Sequence, residues 1–156
     1  MAVELTGIHI EGQSVWDVDE YELVRVLLAL PSLVPADAVL YIEGCCIQDD
    51  VKQFLQAYPA PATTKVFPGT IAPVPRIFHM PATPDNLAAL ARIAEHHQCI
   101  EVCDHLHVYV GEVMLLQGYD FMSLSLYLSE SFSEPQVAAF CQEIGAKYAQ
   151  RHLGVG

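Results

Sequence analysis

Hydrophobic and polar positions follow two periods along this chain. In "FMSLSLYLS" (121–129) Met122, Leu124, Leu126 and Leu128 alternate with Ser123, Ser125, Tyr127 and Ser129, the pattern of a half-buried strand. Upstream, "HLHVYV" and "VMLLQ" flank Gly111 and Glu112, and glycine at the first central position suits a two-residue hairpin. That pairing sets His107 opposite Leu116 and Tyr109 opposite Met114, and the three runs together predict a meander. "AVLYIEG" (38–44) reads as a buried strand and "TGIHIEG" (6–12) as a short one.

The helical period marks four further stretches. "SVWDVDEYELVRVLLAL" (14–30) reads as a helix opening at Asp17, which can cap with Glu20 while Trp16 and Tyr21 form a hydrophobic staple. "QDDVKQFLQAY" gathers Val51, Phe54, Leu55 and Tyr58 on one face. Thr83 and Pro84 open "TPDNLAALARIAEHHQ". Ser133, able to cap with Gln136, opens a last helix expected to run to about Arg151 with Val137, Phe140, Cys141, Ile144 and Tyr148 inward. Between Pro59 and Pro84 lie seven of the ten prolines, which restrict that segment to sheet edges and surface loops. The order of elements predicts an α+β fold: residues 1–156 as a single domain, a mixed or antiparallel sheet carrying the meander, and about four helices packed on it.

Composition adds a bias toward burial. Hydrophobic residues make up 53% of the 156 and charged residues only 17%, against roughly 25% in ordinary soluble domains. No apolar run approaches the ~20 residues of a membrane span, and "MAVELTG" lacks the basic and apolar regions of a signal peptide. These features lead us to expect a cytoplasmic protein with no membrane partner. Five cysteines, an odd number, fit free thiols in a reducing compartment.

The net charge is −12 and unevenly spread: residues 1–50 carry ten acids against Arg25, residues 51–156 nine acids against six bases. Scattered bases argue against nucleic acid, whose phosphates require clustered Lys and Arg. Glu4, Glu11, Asp17, Asp19, Glu20 and Glu22 are therefore the candidate binding residues, able to steer a basic protein partner if they share a surface. Immunity, antitoxin and inhibitor proteins have this physical profile, since neutralising a cationic enzyme calls for dense carboxylates. No cofactor is expected on this reading.

Two chemical alternatives compete with it. On a strand over 101–110, Cys103, His105 and His107 share a face and offer ligands for Zn²⁺ or Fe²⁺. A closed face packed with hydrogen-bonded imidazoles is the competing expectation for the same residues. In "IEGCCIQDD" either Cys45 or Cys46, set between a strand end and a helix start, is a candidate nucleophile. No Gly-rich phosphate loop, HExxH helix or Ser-His-Asp order is present.

Overall fold

The structure, a computed structural model, describes residues 7–62, 64–70 and 72–153. Its elements are β1 (Ser14–Asp19), α1 (Leu23–Ala29), β2 (Val39–Gly44), α2 (Asp49–Ala57), β3 (Arg76–Pro81), α3 (Pro84–Ala94), β4 (His105–Val110), β5 (Val113–Gly118), β6 (Leu126–Ser129), α4 (Glu134–Ile144) and β7 (Lys147–His152). The strands form one antiparallel seven-stranded sheet in the order β3-β2-β4-β5-β6-β1-β7. Side chains alternate across each strand, so the sheet has two faces of different character. Leu40, Ile42, Leu106, Val108, Leu116, Leu126 and Leu128 pack with Leu23, Val26, Val51, Leu87, Val137 and Phe140 of the four helices in the main core. The other face carries a smaller cluster in which Val15, Tyr41, Tyr109 and Met114 meet Ile10 and Val66.

That second face is roofed by irregular chain. Ile8 forms a parallel bridge with Val66, donating to the Lys65 carbonyl and accepting from Phe67. Ala60 donates to the carbonyl of His79 and Tyr119 donates to that of Phe67. The proline-rich segment is thus a strap across the sheet. Its "RIFHMP" end is the edge strand β3, where proline is tolerated because one side of the strand needs no ladder donor.

Two predicted helices are corrected. Residues 14–19 are β1, and α1 begins only at Leu23. Trp16 and Val18 face the helices while Val15 and Asp17 face the strap, a period-two arrangement that pairing with β6 and β7 stabilises over a helical turn. The last helix stops at Ile144, because Gly145 adopts a left-handed C-cap (φ 70), and the following residues form the edge strand β7. The hairpin forms where expected, with Tyr109 opposite Met114. An irregularity after Val108 sets His107 against Gln117, not Leu116. Among the described residues no helix is long and apolar enough to cross a membrane.

Candidate functional site

A single register line crosses the strap-side face: His79 on β3, Tyr41 on β2, His107 on β4, Gln117 on β5, Tyr127 on β6, Asp17 on β1 and Ala149 on β7. The centre of this line is buried and polar. Tyr41 stacks on His107 with ring centroids 5.3 Å apart, and Tyr119 meets both His105 and His107 edge-on. Glu43, next to Tyr41 on the same face and 0% exposed, accepts the Tyr41 hydroxyl at 2.5 Å and the Gly69 amide of the strap at 3.2 Å through one oxygen. Its other oxygen, Oε2, has no hydrogen-bond partner and lies 3.7 Å from His105 Nε2. His79 Nδ1 and the Tyr109 hydroxyl are bonded at 2.7 Å.

The backbone fixes both imidazole tautomers. His105 Nδ1 accepts the Asp120 amide, so Nε2 carries the hydrogen and donates it to Thr70 Oγ1 at 2.8 Å. His107 Nδ1 accepts the Gly118 amide, which leaves an N–H on Nε2 with no partner. Burial, aided by neighbouring His105, pushes the His107 pKa down to about 3. In this arrangement neither ring offers a free lone pair. Acting as a general base or a metal ligand requires one of them to give up a backbone hydrogen bond in a closed site.

Cys103 does not join these histidines. The chain forms a short 3-10 helix over Cys99–Glu101, β4 starts only at His105, and Cys103 packs into the helix-side core. Among the described residues no group of three or more His, Cys, Asp or Glu side chains is arranged to hold a metal ion. Cys45 and Cys46 are exposed in the loop before α2, whose N-cap is Gln48. Desolvation and the carboxylate of Asp104, which accepts the Cys45 amide, hold the Cys45 thiol above its ordinary value. This is the reverse of what an activated nucleophile needs.

The candidate carboxylates are divided. Glu4 lies outside the described residues. Glu11 precedes β1, and Asp17 is bound on the sheet face by Arg151, which also donates to the Tyr127 hydroxyl. Asp19, Glu20 and Glu22 gather at the far end of β1, where Glu20 pairs with Lys147 at 3.4 Å. They are joined there by acids from later in the chain. A cleft of about 510 Å³ is lined by Cys99, Ile100, Asp104, Asp120, Met122 and Leu124, among others. An adjoining cleft, lined by Asp19, Glu20 and Tyr21, shares Met122, Ser123 and Leu124 with it. Within this acidic rim Ile100, Met122 and Leu124 are 52, 45 and 57% exposed.

Tyr21 shapes both clefts. Its hydroxyl donates to the Leu124 carbonyl at 2.6 Å and accepts the Met122 amide at 2.8 Å, and its ring meets Phe121 edge-on. Glu20, Asp120 and Met122, the three positive-φ residues other than glycine among those described, all lie here. Such conformations cost of order 1–3 kcal/mol where the backbone is strained and persist when the surroundings enforce them. Sequence reading missed this site because the 121–125 stretch looks like a continuing strand. A four-residue strand instead begins at Leu126, and Met122 and Leu124 turn outward.

Fold and surface together define an antiparallel α+β sandwich with a roofed polar face and an acidic, apolar-centred end. Comparison with known protein families, characterised proteins and solved structures finds no match to this chain.

Proposed function

We propose that the chain is a binding module of the inhibitor or immunity type that engages a basic protein partner at the end of the sheet around Met122 and Leu124. The observation that carries this reading is the juxtaposition of three exposed apolar side chains, Ile100, Met122 and Leu124, with a rim of Asp19, Glu20, Asp104 and Asp120, and with Glu22 in a neighbouring cleft that shares Cys99 and Met122. Interfaces gain affinity from an apolar centre that is dehydrated on docking, whereas surrounding charges govern encounter and partner choice. A partner face with one or more Leu- or Phe-like anchors inside a ring of Lys and Arg complements this surface. Clamping by Tyr21 pre-forms the 120–124 turn, which lowers the ordering cost of association.

The test uses an amphipathic helical peptide of Leu and Lys as a surrogate for such a partner, with a Leu/Glu peptide as control. Amide NMR shifts on titration are expected at 19–22, 98–104 and 120–125, to weaken as salt rises, and to be absent with the control. The double variant Glu20→Lys, Glu22→Lys, at two exposed positions, should lower affinity for the Lys peptide at least tenfold at low salt. Shifts spread evenly over the molecule, or binding indifferent to both salt and charge reversal, would sink the proposal.

A further inference from the structure

Cys99 and Cys103 form a pair that neither the binding reading nor the histidine cluster uses. The amides of Val102 and Cys103 both donate to the Cys99 carbonyl at 2.9 Å, so one hydrogen-bonded turn separates the two cysteines. A turn of that kind sets the Cα atoms about 6 Å apart, within the range that a disulfide bridges. Each thiol is the foremost influence on the other's acidity. Both residues line the 510 Å³ cleft, Cys99 half-buried and Cys103 buried behind it. Cys99 Sγ also lies 3.9 Å from the Phe121 carbonyl, at the turn that forms the opposite wall. A thiol reagent entering the cleft therefore meets Cys99 first, with Cys103 one turn behind.

The environments of the two thiols are unequal in the sense that an exchange reaction needs. The hydrogen bond from Cys103 brings the Cys99 thiol below its ordinary value, although burial and Asp104 oppose this. The same bond, together with burial, holds Cys103 well above its own. Elsewhere, burial raises Cys141 to about 11 among the core side chains of α4, and Cys45 is raised as well.

We propose that Cys99 and Cys103 are a reversible dithiol–disulfide couple on the wall of the cleft, oxidised by a small disulfide of the glutathione class. The Cys99 thiolate attacks one sulfur of glutathione disulfide, whose S–S bond breaks. One glutathione leaves as a thiolate and Cys99 holds the other in a mixed disulfide. The Cys103 sulfur, having released its proton to solvent, then attacks Cys99 Sγ. The mixed disulfide breaks, the second glutathione leaves, and the Cys99–Cys103 bond is formed. The two protein thiols are oxidised, one glutathione disulfide is reduced to two glutathiones, and the two protons released end on those products. The couple stands whether or not the cleft docks a basic partner.

The test is intact-mass analysis of the whole chain carrying Cys45→Ser and Cys46→Ser, which removes the two exposed thiols, after incubation with glutathione disulfide. The expected product is lighter by about 2 Da, as loss of two hydrogens on disulfide formation requires. Digestion should link Cys99 to Cys103, and excess reduced glutathione should restore the starting mass. Adding Cys103→Ser, or Cys103→Ala if serine disturbs the core by circular dichroism, should stop the reaction at one glutathione on Cys99. Adding Cys99→Ser should abolish both products. The proposal is overturned if the chain stays fully reduced, if the adduct maps to Cys141, or if Cys103 takes up glutathione as fast without Cys99. Should both Cys103 variants unfold, the mass and peptide link of the parent chain decide.

Discussion

His107 holds one buried N–H with no acceptor, and nearby Glu43 holds one buried oxygen with no donor. A neutral imidazole tolerates that environment far better than an imidazolium, which fixes the sign of its pH dependence. The folded-state pKa of about 3 lies below the ordinary imidazole value of 6.5, so between these values the unfolded chain takes up a proton that the folded chain refuses. Stability from this residue is present above about pH 6.5 and is lost as pH falls toward 3, by up to roughly 5 kcal/mol in total. Urea titrations between pH 4.5 and 7 should show this slope. It should flatten in His107→Asn, which keeps an acceptor for the Gly118 amide but cannot become charged; equal slopes in the two proteins would refute the assignment. His97 acts in the opposite direction. Its hydrogen bond to Asp50 raises its pKa, so its contribution is full below the unfolded value and fades as pH rises through the folded one. Period-two reading of the sequence correctly placed His105 and His107 on one face. It included Cys103 because the strand start at His105 carries no local signal. Nothing in the sequence tied Tyr41 and Glu43 to those rings, because only the pairing of β2 with the distant β4 brings them together.

Among the elements, strands and helices with strong periodicity were legible: β2, α2, α3 and the β4–β5 hairpin form where the pattern puts them. Two edges were not. In β1 the acids that resemble a capping box belong to a strand and its turn, and Asp17 is claimed by Arg151 from β7. Gly145 could have signalled the end of α4, but the mostly exposed residues of β7 have no apolar alternation to mark a strand. The strap was visible as proline-rich chain, yet its destination was not, because its anchors are scattered single groups: backbone amides and carbonyls, the Thr70 hydroxyl, the Val66 side chain and Gly69. A Cβ on Gly69 would run into the ring of His105, which is buried and has no room to retreat. Gly69→Ala should therefore lift the strap locally, at a cost of about 1–3 kcal/mol by overpacking. Hydrogen exchange should accelerate over 60–70 and at the Asp120 amide, while the helices stay protected. Unchanged protection over the strap would show that Gly69 is not an anchor.

At the scale of the whole molecule, the sequence revealed an excess of acid but not its address. The excess is most marked toward the N-terminus, and the fold spreads it: Asp19, Glu20 and Glu22 line clefts adjoining that of Asp104 and Asp120, while Asp17 is drawn onto the sheet. A net charge of −12 on 156 residues also repels itself across the surface, which destabilises the compact state at low ionic strength. Raising sodium chloride from about 10 to 150 mM shortens the Debye length from roughly 30 to 8 Å, and the thermal midpoint should rise by several degrees. A fall would mean that attractive pairs such as Lys147–Glu20 outweigh the repulsion. The position of β1 has a kinetic consequence. It lies between β6 and β7, and Ser14 bonds Glu130 across 116 residues of chain. On a ribosome β1 emerges first among the strands and waits, with both hydrogen-bonding edges unused, until its two neighbours have been made. Closing so long a loop is slow, and through that interval the apolar residues of β1 depend on transient contacts or a chaperone to avoid pairing with another molecule.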